Sequence, residues 1–332
     1  MRAWIVPAGC TDAAGLRLVE KPDPVAGPGQ IVVRIRAASL NYRDQAVVRG
    51  QYFGGATPRD LVPVSDGAGD VLSVGADVAS AAVGDRVAGT FFQPTPRGPA
   101  ALGSPLDGML SEYAVLADGG VVKLPDSVDY EAAACLPCAG VTAWHALFGV
   151  GRPIAPGDTV LVLGTGGVSM LALQLARAAG ARVIVISSSD DKLERAFALG
   201  ATDGINYGQM PEWQREVLRV TGGRGADCVV EIGGAGTLGR SYQSLARGGK
   251  VALIGFLAGA QGDTAPHPLM MKAGSLHGIF VGDQAMFEAL LRAVALNRIA
   301  PPVDRIFGFA DAAAAYAYQA TSGFVGKIVI RF

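Results

Sequence analysis

The run Gly164-Thr165-Gly166-Gly167-Val168-Ser169 follows the apolar stretch TVLVL and precedes GVSMLALQLARAA, whose apolar residues recur at helical spacing. Glycines at 164 and 166 permit a tight turn and let the backbone approach a bound group closely. The helix start behind them offers unpaired N–H groups and the positive end of its dipole. That combination suits a pyrophosphate, so Gly164, Thr165, Gly166, Gly167 and Val168 are expected to line a dinucleotide. The third position of the G-x-G-x-x-G pattern is Ser169 where Gly or Ala is usual, and a tight turn without ligand is the alternative.

A second group lies where the next apolar run, RVIVIS, ends in Ser187-Ser188-Ser189. A site for NAD places a carboxylate roughly 20 residues past the first glycine, to bind the ribose 2′-OH. Hydroxyls here donate to a 2′-phosphate without adding negative charge, and Lys192 follows within reach as counter-charge. NADPH (NADP+) is therefore expected over NADH. The alternative is that Ser189 or Asp190 caps the helix DDKLERAFAL while Lys192 is solvated. Further cofactor contacts are expected where apolar runs end: Gly233 after DCVVEI, Gly255 and Phe256 after KVALI, and Phe280 and Val281 in GIFVG. Thr142, at the start of a segment expected to line the cofactor, offers a hydroxyl that could orient a nicotinamide.

These residues need elements to hold them. Before residue 125 short alternating or apolar runs, 31–40, 70–75, 85–92 and 112–116, are punctuated by Gly and Pro and read as a barrel-like or sandwich-like β unit. Beyond it, strand-length apolar runs at 159–164, 182–187, 203–206, 227–233 and 250–256 alternate with helical segments. Nearly continuous apolar strands suit a parallel sheet covered on both faces, so the fold class is α/β with a doubly wound domain. The cofactor domain is expected at 126–260. Residues 1–125 and 261–332 form the other domain, closed by the terminal strand KIVIRF.

Composition narrows the class further. Half of the 332 residues are hydrophobic and 17% charged, with 28 Lys and Arg against 29 Asp and Glu. Disorder and a basic nucleic-acid surface are poor readings, and small molecules are the expected partners. Four cysteines make no disulfide framework, no secretory leader pattern is visible in MRAWIVPAGC, and a cytoplasmic, reducing location without membrane association is expected. The uncharged run 159–176 approaches membrane-span length, but its GTGG centre reads as strand, turn and helix.

The segments LNYRD (40–44), PVSDGAG (63–69), VGDRV (83–87), LPCAGVTAWHAL (136–147), GTGGVS, SSSDDKL, LGATDGINY (199–207) and GKIVI (326–330) together resemble the medium-chain dehydrogenase/reductase superfamily, in particular its zinc-free, quinone-oxidoreductase-like members. The resemblance spans essentially the whole chain. It implies a GroES-like catalytic domain, a Rossmann domain for a nicotinamide cofactor, and a substrate cleft between them. In NADPH-using relatives a serine, a lysine and a tyrosine surround the 2′-phosphate, which maps onto Ser187 or Ser188, Lys192 and Tyr207. Lys327 falls where relatives bring a basic residue to the pyrophosphate, a solvated lysine being the alternative. A homodimer is implied, with GIFVG as the sheet edge that pairs.

The departures from the resemblance concern metal. Zinc-dependent members carry a cysteine, a histidine and a second cysteine where this chain has Asn41, Ser65 and Cys138, and one thiolate cannot make a three-ligand zinc site. The four-cysteine lobe is absent from FFQPTPRGPAALGSPLDGM, and Cys135-x-x-Cys138 reads as buried wall residues. No metal is expected. Without one, charge that appears on oxygen as hydride arrives must be held by hydrogen-bond donors, which suits quinones and α,β-unsaturated carbonyls whose anions are delocalised. Tyr52 matches the pocket tyrosine of quinone reductases and Asn41 stands in the lost ligand slot; these are the expected catalytic residues, as proton donor and carbonyl-orienting amide. Tyr42 packing inward, an Arg43–Asp44 ion pair and a packing role for His145 are the competing structural readings. The expected activity is NADPH-dependent, zinc-independent hydride transfer to a quinone or enone. An NADP-dependent alcohol dehydrogenase or ketoreductase and a non-catalytic NADPH-binding protein are the alternatives.

Overall fold

A computed structural model describes residues 1–262 and 264–332. The chain forms two compact units, Met1–Ala139 with Asp283–Phe332, and Gly140–Gly282.

In the first unit the strand Gln30–Leu40 is the hub. Its buried Ile31, Val33 and Ile35 alternate with outward Arg34 and Arg36, the period-two pattern of a strand with one face on the core. It pairs antiparallel with Asp66–Val74, Tyr113–Ala117 and the terminal strand Lys327–Arg331. Ile328 lies opposite Leu40, so the start of the last strand meets the end of the hub strand. Asn41 then turns the chain into the helix Tyr42–Val48, its backbone extended and its N–H donating to Asp44 Oδ2 at 2.7 Å.

The second unit is a six-stranded, all-parallel sheet, as its apolar runs require. Across the sheet the strands run Asp203–Asn206, Arg182–Ser187, Thr159–Leu163, Ala226–Glu231, Leu245–Leu253 and Ser275–Gly278. Numbered by sequence this is 3-2-1-4-5-6, the doubly wound order, and the connections diverge at the carboxyl ends of Thr159–Leu163 and Ala226–Glu231. Helices Gly167–Ala178, Asp190–Ala198, Trp213–Val220 and Ala235–Gln243 join the strands.

Both expected boundaries move. Residues 126–139 belong to the first unit, because the helix Tyr130–Ala134 packs on Gln30–Leu40 and Asp66–Val74. The second unit continues to Gly282 rather than 260, because Ser275–Gly278 adds a sixth parallel strand beside Leu245–Leu253. The edge strand is therefore SLHG; of GIFVG only Gly278 belongs to it. The uncharged stretch 159–176 is strand, turn and helix, and among the described residues no helix is long and apolar enough to cross a membrane.

Candidate active site

At the carboxyl end of Thr159–Leu163, Gly164 has φ +71°, the left-handed region that glycine enters without penalty, and its N–H donates to Ile186 O at 2.8 Å. Gly166 is the N-cap of Gly167–Ala178 and provides no side-chain cap, so the first N–H groups of the helix have no capping side chain. A Cβ built on Gly166 would meet nothing within 4 Å. Open space in front of uncapped N–H groups fits a pyrophosphate. Ser169 is fully buried and its hydroxyl donates to Leu163 O at 2.6 Å, which ties helix to strand and accounts for serine at the third glycine position.

Beside this turn the second and third strands end together. Tyr207 N–H donates to Ser187 O at 2.9 Å, so Ser187, buried, and Tyr207, exposed, are neighbours. Ser188 is exposed and Lys192 lies half-buried on the first turn of Asp190–Ala198. Ser189 is the N-cap of that helix but makes no side-chain cap bond, so the serine-capping alternative does not hold. Asp190 is tied down by Asn206 Nδ2 at 2.8 Å and Gln209 Nε2 at 3.0 Å.

On the other side of the divergence the organising residue is Glu231, which motif reasoning missed. Fully buried, it accepts from Gly233 N at 2.7 Å, Gly234 N at 3.2 Å and Thr237 Oγ1 at 2.6 Å, and from the Ser241 hydroxyl. This carboxylate folds the Gly233 turn into the start of Ala235–Gln243. Its one signal was an acidic residue inside the apolar run DCVVEIG. Gly255 and Phe256 follow the fifth strand, Phe256 half-exposed, and Thr142 is buried. Val281 has φ +56°, a costly conformation for a β-branched residue, and its carbonyl lies 2.7 Å from His145 Nδ1. A carbonyl only accepts, so Nδ1 carries the proton and His145 braces the Phe280–Val281 segment. His145 is thus satisfied, as the packing reading anticipated, although only half-buried.

The first unit gathers the residues around Asn41. Asn41 is 8% exposed; its Oδ1 accepts from Lys327 Nζ at 2.6 Å and its Nδ2 lies 3.5 Å from Ser65 Oγ. Ser65 Oγ donates to Asp66 Oδ1 at 2.6 Å, and Asp66 Oδ2 accepts from Cys138 N at 2.9 Å. Asn41, Ser65 and Cys138, the three positions of the zinc-ligand comparison, thus form one linked cluster. Burial, with Asp66 nearby, pushes the Cys138 thiol far up, so a thiolate is disfavoured. Of the two cysteines expected as buried wall residues, Cys135 is fully buried and Cys138 only half-buried. Among the described residues no three His, Cys, Asp or Glu side chains converge to hold a metal ion.

Lys327 is not solvated. It is 2% exposed, and its ammonium also donates to Leu40 O at 2.6 Å, so two of its three donors are engaged inside this unit instead of standing free for the expected pyrophosphate contact. Tyr52 is half-buried on the loop after the helix Tyr42–Val48, with the Arg43 guanidinium 4.7 Å from its ring centre and 4.9 Å from that of Phe91. Arg43 donates to Leu102 O at 2.7 Å and Ser104 O at 3.0 Å, and lies 3.9 Å from Asp44, the expected ion pair. Tyr42 points outward, 67% exposed, which overturns the inward reading.

Two family profiles match the chain: one described as the alcohol dehydrogenase GroES-like domain over residues 27–126, and one described as zinc-binding dehydrogenase over residues 167–295. A zinc-type alcohol dehydrogenase-like protein of Schizosaccharomyces pombe is 43% identical over 320 residues, covering 92% of this chain and 91% of that one. The crystal structure of an NAD-dependent alcohol dehydrogenase superposes with a TM-score of 0.90 at 32% identity, covering 100% of both chains. That of a Pseudomonas syringae quinone oxidoreductase gives 0.85 at 28% identity, again over 100% of both.

Proposed function

The chain belongs to the medium-chain dehydrogenase/reductase superfamily, and on that premise we propose that it is an NADPH-dependent reductase of quinones or α,β-unsaturated carbonyls that works without zinc. The superfamily makes it an oxidoreductase that uses a nicotinamide dinucleotide. Bound NADPH supplies the hydride. The uncapped helix start at Gly166–Val168 would hold the pyrophosphate, and Ser187, Ser188, Lys192 and Tyr207 the 2′-phosphate.

One observation carries the zinc-free reading: the donor set at Asn41. Zinc needs lone pairs from thiolate, imidazole or carboxylate. Here Asn41 Oδ1 already accepts from an ammonium and the Ser65 hydroxyl is spent on Asp66, which leaves Cys138 as the one thiol among the three positions. These groups do not fit the metal that the second profile's description names. They do suit binding an oxygen on which negative charge builds: Asn41 Nδ2 donates to it, as in an oxyanion hole, and the Tyr52 hydroxyl returns a proton. Enolates and hydroquinone anions, already delocalised, need no stronger acid. No carboxylate stands among Ser187, Ser188 and Ser189 to repel a 2′-phosphate, which supports NADPH.

The test is a substrate and cofactor panel. With NADPH and with NADH, p-benzoquinone, an enone, a saturated ketone and a primary alcohol with the oxidised cofactor are compared. Turnover of the first two, with NADPH preferred, is expected; preferential oxidation of the alcohol with NAD+ contradicts the proposal. Absence of turnover with detectable NADPH binding favours the non-catalytic alternative.

A further inference from the structure

Lys327 is the only residue of the Asn41 cluster that is both cationic and in contact with the amide. Its ammonium sits 2.6 Å from Asn41 Oδ1 and 2.6 Å from Leu40 O, and among the described residues it makes no ion pair with a carboxylate. The placement follows from the sheet: Ile328 pairs with Leu40 at the end of Gln30–Leu40, and on the other side Lys327 N–H donates to Pro302 O at 2.8 Å, so the start of the last strand is held from both sides. A buried ammonium carries a heavy desolvation penalty that a methionine of similar length would not. The charge at this position therefore calls for a role beyond filling space.

The chemistry of the contact supplies one. An amide can present either its oxygen or its NH2 group in a given direction, but an ammonium has three donors and no acceptor and can face only Oδ1. Asn41 Nδ2 is thereby committed as the donor, with one N–H toward Ser65 Oγ at 3.5 Å and the second left for a substrate oxygen. A charge-assisted bond to Oδ1 also polarises the amide and strengthens its N–H groups as donors. Asp44 feels this charge: Lys327 opposes the burial-driven rise of the Asp44 carboxyl, as it does that of the Cys138 thiol. The positive charge is thus balanced at longer range without an ion pair that would neutralise it at Asn41.

We propose that Lys327 is a positioning residue: it locks the Asn41 side chain with Nδ2 as donor and lends that donor the charge with which it holds the developing oxyanion of the substrate. This rests on the reading of Asn41 as the group that meets the substrate oxygen. It adds that a strand some 286 residues away in sequence sets the electrostatics of that group.

The chain has three asparagines, Asn41, Asn206 and Asn297, so selective 15N-asparagine labelling gives three side-chain amide pairs, that of Asn41 identified by its loss in Asn41→Ala. In the ligand-free protein Lys327→Met is expected to move or broaden the Asn41 pair alone, and Lys327→Gln, a neutral donor, to move it less. On an enone, Lys327→Met is expected to lower kcat about 10- to 100-fold with the KM for NADPH unchanged. Lys327→Arg should recover part of that loss, and Lys327→Met with Asn41→Ala should be no slower than Asn41→Ala alone. An unmoved Asn41 pair, or additive losses in the double variant, overturns the proposal. If Lys327→Met does not fold, unchanged kcat and an unmoved pair in Lys327→Gln overturn it instead. A wild-type rate in Asn41→Ala overturns the reading of Asn41 as substrate donor, whereas the spectrum of the labelled amide still reports whether Lys327 sets its orientation.

Discussion

Asp44 occupies the third helical position after Asn41, fully buried, with Oδ2 accepting the Asn41 N–H and Oδ1 without a hydrogen-bond partner among the described residues. Burial pushes its carboxyl up to about 6, against the opposing pull of Arg43 and the Asn41 N–H. A folded-state value raised above the unfolded one means that the native state holds the proton more tightly. The stabilisation from Asp44 is therefore complete below about pH 4 and lost as pH rises through about 6, roughly 3 kcal/mol at most. Asp44→Asn keeps the acceptor for the Asn41 N–H but has no proton to lose. Urea unfolding between pH 4 and 7 should give a smaller pH-dependent loss for Asp44→Asn than for the wild type; parallel profiles would contradict the burial argument. Asn41 and Tyr52 were singled out from their place in LNYRD and VVRGQYFGG. The environment of Asn41 was not, because a lysine's reach across a sheet depends on register, which no local pattern near residue 327 encodes. Glu231 was hidden for a related reason: a carboxylate in an apolar run reads as an interruption until the four donors around it are seen.

The helix Gly167–Ala178 and the strand before it were the clearest elements in the sequence, since an apolar run, paired glycines and a helical apolar stripe all agree there. Ser275–Gly278 was invisible because SLHG at the sheet edge has neither a continuous apolar run nor strong alternation. On the proposed reading the pyrophosphate sits at the start of Gly167–Ala178, and Gly166 tests that with little disturbance of the fold. Its φ of −75° is open to any residue, and a side chain there meets no protein atom near its Cβ. Gly166→Val should cost about 1 kcal/mol of stability, valine being a poor N-cap, while weakening NADPH binding by at least about tenfold, about 1.4 kcal/mol, because the side chain fills the approach to the N–H groups. Fluorescence titration with NADPH measures it. Unchanged affinity would show that the pyrophosphate is held elsewhere.

At the scale of the molecule, 28 basic and 29 acidic residues nearly balance, and the charges that the proposals use are local: Lys192 beside three serines, and Lys327 buried at Asn41. The two-domain division was legible because short strand-like runs punctuated by Gly and Pro give way to alternating strands and helices after about residue 125. The boundaries were not, since Tyr130–Ala134 is helical yet packs on the antiparallel sheet. The glycine turn at 164–167 lies in Gly140–Gly282, and Asn41, Tyr52 and Lys327 lie in the other unit. The account stands on the claim that hydrogen-bond donors, and not a metal, hold the charge of the reaction. The most direct test is the rate of NADPH oxidation with an enone before and after exhaustive dialysis against a zinc chelator. The rate should be unchanged and indifferent to added zinc; a loss on chelation that stoichiometric zinc restores would contradict the account.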